Sequence, residues 1–301
     1  MNKIDLLLEK YNNILEKDPN NLEVRNSLGS LYFDLNRLDC AQEQFLYMVR
    51  QDKLSIEGHY NLGLVYENKG LLDFALNYYK KAVLIDPDDS LLYDAIGNIY
   101  FLKEEFDKAI EYFRMALDCD EEDLFAINCI GAIHLQRRLY DFALTEFKKV
   151  LLIDPDNAIA YCNMAIVFNA KCENDKAYEY FKKAISLNKF YKEALFNLAM
   201  LYRKDKNYAE AVKLFNQVIV LDPCDPMAYI NVAQIYVENK QLDCALEYCF
   251  DAVKRNPELF VLYRAVGDCY YQMNMFKEAI EYYLQVNEDS ENYFIVLNSI
   301  G

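Results

Sequence analysis

Tryptophan is absent from this 301-residue sequence and histidine occurs only twice, at His59 and His134. Two imidazoles leave little material for general acid–base or metal chemistry. His134 falls on a position that is otherwise aromatic and His59 on one that holds large residues, so both are expected to pack. The nine cysteines, scattered from Cys40 to Cys269, form no Cys-x-x-Cys pair, and their number is odd. That excludes a disulfide framework or a zinc site and fits free thiols in a reducing cytoplasm. Eight glycines and six prolines leave little for long loops. No apolar run approaches the ~20 residues of a membrane span. The opening MNKIDLLLEKYNN is interrupted by Asp5 and Glu9 and predicts an amphipathic helix, not a secretory signal. Basic residues are the minority, 32 against 48 acidic, for a formal charge of −16. Such a surface repels nucleic-acid backbones and anionic membranes. There is no glycine-rich phosphate loop with lysine, no His-Glu-x-x-His and no Gly-x-Ser-x-Gly. The acidic cluster Asp118, Asp120, Glu121, Glu122 and Asp123 lacks the central glycine of a calcium loop. The expectation is a protein that is not an enzyme, with no catalytic residue, cofactor or metal.

What the sequence has instead is a period. Residues 75–87, ALNYYKKAVLIDP, return at 143–155 as ALTEFKKVLLIDP and at 211–223 as AVKLFNQVIVLDP. The underlying step is 34 residues, without insertion or deletion. Gly29, Gly63, Gly97, Gly131, Ala165, Ala199, Ala233 and Gly267 mark it. Three residues on stand Tyr32, Tyr66, Tyr100, His134, Phe168, Tyr202, Tyr236 and Tyr270. Twelve after the small residue come Ala41, Ala75, Ala109, Ala143, Ala177, Ala211, Ala245 and Ala279. Four beyond each alanine is Phe45, Tyr79, Phe113, Phe147, Phe181, Phe215, Cys249 or Tyr283. Each unit holds two stretches with apolar spacing of three and four, joined by a short polar link, which predicts paired helices. Asp39, Asp73, Asp107, Asp141, Asp175 and Asp243 open the second stretches and are expected to cap them. Asp-Pro at 86–87, 154–155 and 222–223 is expected to stop the helix before it. Lys53, Glu121, Lys189 and Glu291 replace that proline, which predicts looser junctions there.

These landmarks, in this order, resemble the tetratricopeptide repeat. The resemblance covers nearly the whole chain and implies an all-α, right-handed superhelical α-solenoid of antiparallel helix pairs. A single array over 1–301 is expected: an N-terminal half-repeat or cap at 1–21, repeats at 22–55, 56–89, 90–123, 124–157, 158–191, 192–225, 226–259 and 260–293, and the start of a ninth unit at 294–301. That last stretch, FIVLNSIG, breaks off in mid-helix, which favours a piece of a longer protein over a stub cap.

The resemblance also implies where function lies, since the first helices of such arrays line a concave groove. The stripe beside the packing stripe gives Tyr60, Asn61, Leu64, Asn98, Phe101, Asn128, Asn163, Asn169, Phe196, Asn197, Met200, Arg203, Asn231, Gln234, Arg264 and Tyr271 as partner-binding candidates. Amides interleaved with apolar side chains suit an extended peptide. Asn61, Asn163, Asn197 and Asn231 share one register, similar to the asparagine ladder of the O-linked N-acetylglucosamine transferase superhelix. The carboxylate clamp of chaperone-binding repeats is not matched, because Arg264 alone is basic at the equivalent positions. Glu23, Glu57, Glu67, Asp94 and Glu193 make most of the groove acidic, favouring a neutral or basic ligand. The reading is a cytoplasmic, non-catalytic scaffold for protein–protein interaction that binds a peptide segment or partner protein. The alternative is the substrate-recruiting arm of a larger enzyme, for example a glycosyltransferase-like protein, with its catalytic domain beyond residue 301. Self-association through the C-terminal end is a third possibility.

Overall fold

The computed structural model describes residues 3–285; the expected start of a ninth unit, at 294–301, lies outside them. Helix α1 (Lys3–Lys17) is followed by pairs in strict alternation. The first helices are α2 (Leu22–Asp34), α4 (Ile56–Asn68), α6 (Ser90–Leu102), α8 (Leu124–Gln136), α10 (Ala158–Ala170), α12 (Lys192–Lys204), α14 (Pro226–Glu238) and α16 (Phe260–Gln272). The second helices are α3 (Leu38–Gln51), α5 (Leu72–Ile85), α7 (Phe106–Cys119), α9 (Tyr140–Ile153), α11 (Asn174–Leu187), α13 (Tyr208–Leu221), α15 (Leu242–Arg255) and α17 (Phe276–Tyr283). No strand occurs among the described residues. The chain divides into two compact units, 1–153 and 154–301, and in each the fold is an α-solenoid of helix pairs.

The sequence landmarks turn out to be two halves of one contact. A Cβ placed on Gly29 would lie 2.6 Å from the Phe45 ring, and one on Gly97 2.8 Å from that of Phe113. The same relation joins Gly63 to Tyr79, Gly131 to Phe147 and Gly267 to Tyr283. Five second-helix aromatics thus pack against the glycine landmark of their own first helix. The alanines twelve residues on, from Ala41 to Ala279, are at most 2% exposed. The other aromatic landmark packs on the ring just before the second: Tyr66 on Tyr78 at 5.3 Å, Tyr100 on Tyr112 at 5.3 Å and Phe168 on Tyr180 at 5.1 Å. His134 packs instead on Phe142 at 5.6 Å, as Tyr66 also does on Phe74 at 5.4 Å. His59 is 5% exposed, with its Nε2 3.1 Å from the Lys53 carbonyl. Both histidines are packing residues.

Two expectations about the helix ends are corrected. The aspartates that open the second helices do not cap them. The cap residues there, such as Arg37, Leu71 and Glu105, make no side-chain cap bond, and Asp39, Asp73 and Asp107 lie inside the first turn. They reach instead to the end of the first helix of the next pair: Asp39 to Lys69 at 2.7 Å, Asp73 to Lys103 at 2.7 Å and Asp107 to Arg137 at 2.8 Å. Side-chain caps belong to the first helices. Asn21, Ser55, Asp89, Asp123, Asn157 and Asp225 each accept a bond from a backbone N–H of the first turn, satisfying donors that have no intrahelical acceptor.

The junctions at Lys53, Glu121 and Lys189 are also built like the others, while Glu291 lies outside the described residues. Asp52, Asp120 and Asn188 end α3, α7 and α11 with the same extended backbone as Asp86 at the end of α5. The side chains of Asp52, Asp86, Asp120 and Asn188 each accept from the N–H two residues on. This local turn fixes the chain direction whether or not proline follows. Between the helices of each pair, Asn36, Gly70, Glu104, Arg138, Cys172, Lys206, Lys240 and Asn274 adopt positive φ of 55–71°.

Candidate functional site

In both units the first-helix faces combine internally bonded polar groups with exposed apolar side chains. In residues 1–153, Tyr60, Asn61, Leu64, Asn98, Phe101 and Asn128 are all half-buried. The helices use their polar groups to hold one another. Asn61 donates its amide to Asn26 Oδ1 on the preceding first helix at 2.8 Å. Glu67 joins two pairs: one carboxylate oxygen accepts from Tyr79 Oη at 2.8 Å, the other from the Asn98 amide at 2.8 Å. Asn128 donates to the Leu124 carbonyl of its own helix at 2.9 Å, and its Oδ1 is buried without a hydrogen bond. Tyr60 stands 5.7 Å from the Tyr79 ring. Burial, followed by the charges of Glu67, Asp89 and Asp94, raises its hydroxyl pKa. Phe101 packs edge-on against Phe106 at 5.9 Å.

Asp94 departs from expectation. Its place in the stripe predicts a solvated carboxylate lending negative charge to the groove, yet it is 6% exposed. Burial, then the charge of Asp123 and a hydrogen bond to it, push its pKa up to about 8. At neutral pH it is therefore mostly a neutral acid, and the groove is less acidic than the composition implies. Its Oδ1 has no hydrogen-bond partner. The Cys129 thiol is pushed up to about 12, first by burial and then by the charges of Asp94 and Asp123.

Apolar first-helix side chains are open in both units: Leu91 is 62% and Phe125 51% exposed in residues 1–153, and residues 154–301 continue the pattern. Ile159 is 49% exposed, Met200 38%, Met227 51% and Tyr271 47%. Asn163 and Asn169 lie half-exposed on α10, with Phe196 and Asn197 half-exposed on α12. Phe196 packs edge-on to Phe215 at 5.3 Å, and Asn197 donates to the Glu193 carbonyl of its own helix at 2.8 Å. Asn231 is corrected as a ligand contact, since it is 4% exposed. Its amide donates to the Met227 carbonyl at 2.8 Å and its oxygen accepts from Arg203 Nη1 at 2.6 Å. Arg203 also donates to Gln234 at 2.9 Å and pairs with Glu238, so its charge fastens α12 to α14. Arg264 is 3.8 Å from Asp268, which accepts from Tyr283 Oη at 2.7 Å. Asn163, Asn197 and Asn231 thus share a register without sharing an environment.

Among the described residues, no group of three or more His, Cys, Asp or Glu side chains is arranged to hold a metal ion. None of the described helices is long and apolar enough to cross a membrane. All nine cysteines are free thiols.

Family models described as tetratricopeptide repeat match residues 56–89, 91–123, 192–223 and 262–288. No curated protein matches the sequence. Among solved structures, the Cut9 and Hcn1 hetero-tetramer of the APC/C is 19% identical with a TM-score of 0.63, over 89% of this chain and 54% of that one. The Pseudomonas aeruginosa pilF protein is 21% identical with a TM-score of 0.56, over 68% of this chain and 93% of that one. At these identities the likeness is one of fold. With the 34-residue register, the small-on-aromatic contact at each glycine landmark and four matching segments, the chain is a tetratricopeptide-repeat protein.

Proposed function

We propose that the protein is a non-catalytic interaction scaffold that holds an extended peptide segment of a partner against its first helices. The observation that carries this reading is the row of exposed apolar side chains on α10, α12, α14 and α16. Ile159, Met200, Met227 and Tyr271 are 38–51% exposed, whereas Ala165, Ala199 and Ala233 and the second-helix landmarks Phe181, Phe215, Cys249 and Tyr283 of the same pairs are buried. Exposed large apolar groups on successive first helices, with Ile159 and Met227 at the same place in their units, mark an interaction site. Half-exposed Asn163, Asn169 and Asn197 beside them supply amides that suit peptide backbone. Methionine adapts to varied side chains. In residues 1–153, Glu67 and Asp89 favour a neutral or basic segment, and Asp94 adds charge only as pH rises past about 8.

A photo-reactive methionine analogue at Met200 and Met227 tests this. Cross-links from native extract are expected to converge on one short partner segment. Met227→Glu, at a half-exposed position, is expected to abolish them while leaving the melting temperature unchanged. Cross-links that survive Met227→Glu, or that scatter over many unrelated segments, would refute the groove assignment.

A further inference from the structure

Residues 154–301 carry a second recess, to which the first helices contribute only Leu195 of α12. It lies between the second helices α11 and α13, beside the 188–191 loop, and encloses about 540 Å³, within the range of ligand pockets. Ile185, Phe190, Val220 and Leu221 make it apolar, and Lys189 and Lys213 flank it. Phe190 is 75% exposed and Val220 79%, so neither is held by the core.

Nothing in the repeat requires these residues. The positions of Lys189 and Phe190 are filled by Pro87 and Asp88, Glu121 and Glu122, Pro155 and Asp156, and Pro223 and Cys224 at other junctions; only Lys53 and Leu54 repeat the basic–apolar pattern. The turn forms equally well in either case. The Phe190 N–H donates to Asn188 Oδ1 at 3.0 Å, as that of Asp88 does to Asp86 at 3.2 Å. An exposed phenylalanine that the turn does not need is available to a ligand.

The charge around the recess selects the ligand. The charged side chains that line it are Lys189 and Lys213, with no carboxylate in the lining, in a chain where acidic residues outnumber basic ones by 48 to 32. Lys213 is 3.5 Å from Glu210 in an exposed pair, a contact weak enough for an incoming carboxylate to displace. We propose that this cleft docks an acidic segment of a partner protein through a bulky apolar anchor. The anchor enters between Phe190 and Val220, and carboxylates flank it at Lys189 and Lys213. Opposite charge steers the encounter and fixes the register, while the buried anchor holds the complex. Neither Phe196 nor Met200 of α12 lines the cleft, so a scaffold of this kind can hold two partners at once.

The test is a random 12-residue peptide library displayed on phage and selected on the full chain. Selected peptides are expected to be net acidic with at least one large apolar residue. As synthetic peptides they should lose at least tenfold in affinity against Val220→Glu, and likewise against Lys189→Glu/Lys213→Glu. Both variants change exposed side chains, and their melting curves provide the control for folding. Affinity for wild type should also fall with added salt. Three results would overturn the proposal. The first is selection of basic or uncharged peptides. The second is acidic peptides that are indifferent to both variants but lost on Met227→Glu, which places them on the first-helix face. The third is a wild-type dimer in sedimentation that dissociates in Val220→Glu, which makes the occupant a second copy of this chain.

Discussion

Replacing Asp94 by asparagine removes a titration while keeping the shape of the side chain. In the native state this carboxyl holds its proton up to about pH 8, because it is buried and faces Asp123. In the unfolded chain it ionises near 3.9. The folded protein therefore binds a proton that the unfolded one has released throughout the window from about pH 4 to pH 8. Stability must fall as pH rises through that window and level off above it. About four pH units at 1.36 kcal/mol each set an upper bound of about 5 kcal/mol. Water entering the groove beside an ionised Asp94 screens part of this, leaving roughly 2–4 kcal/mol. The substituted amide would be neutral at every pH, and it can donate to Asp123 as the protonated acid does. Urea midpoints followed by far-UV circular dichroism at pH 4.5, 6, 7 and 8 provide the assay. Wild type and Asp94→Asn should nearly coincide at pH 4.5, and the variant should gain steadily to pH 8. A constant offset between them, or a gain for wild type with rising pH, would refute the account of Asp94.

Gly63→Ala would press a methyl group into the Tyr79 ring, which its bond to Glu67 holds in place; a loss of roughly 1–3 kcal/mol is expected in denaturant unfolding. Ala177→Phe should cost about as much by the same route, since Ala177 is fully buried. Ser55→Ala removes the cap on α4 and should cost about 1 kcal/mol, whereas Asp73→Asn loses only an exposed pair with Lys103 and should cost under about 1 kcal/mol, vanishing in high salt. Burial raises the Cys129 and Cys162 thiols to about 12, so iodoacetamide at pH 8 should label Cys40 and Cys244 in the native protein but reach Cys129 and Cys162 only in urea, as read by peptide mass spectrometry.

The pairs were legible because their determinants are local and repeat without slippage. A small residue, an aromatic, an alanine and a second aromatic at fixed offsets leave one arrangement that buries all four. The caps on the first helices were equally available. Asn21, Ser55, Asp89, Asp123, Asn157 and Asp225 recur at multiples of 34, but the aspartates of the second helices drew the assignment instead. The fate of the groove side chains was not legible. Whether an asparagine faces a ligand or a neighbour depends on residues about one repeat away. Arg203 claims Asn231 from 28 positions earlier, and Asn61 reaches Asn26 across 35. Asp94 is hidden beside Asp123, 29 positions on. Helical periodicity assigns a residue to a face and says nothing of which groups on that face have already found each other.

The salt links of residues 1–153 have a directional consequence. The pairs 56–89 and 90–123 each present a basic residue on one side and an aspartate on the other, so Asp39, Asp73 and Asp107 meet Lys69, Lys103 and Arg137 like couplings on identical carriages. Such couplings join any neighbour to any other. They would let a duplicated or deleted 34-residue module be absorbed without a mismatched seam, and they offer no protection against a nascent chain that skips a carriage. The keyed contacts are elsewhere: Asn26 with Asn61, and Glu67 with Asn98 and Tyr79, occur once each in this stretch. Correct order along the row rests on those few unrepeated bonds.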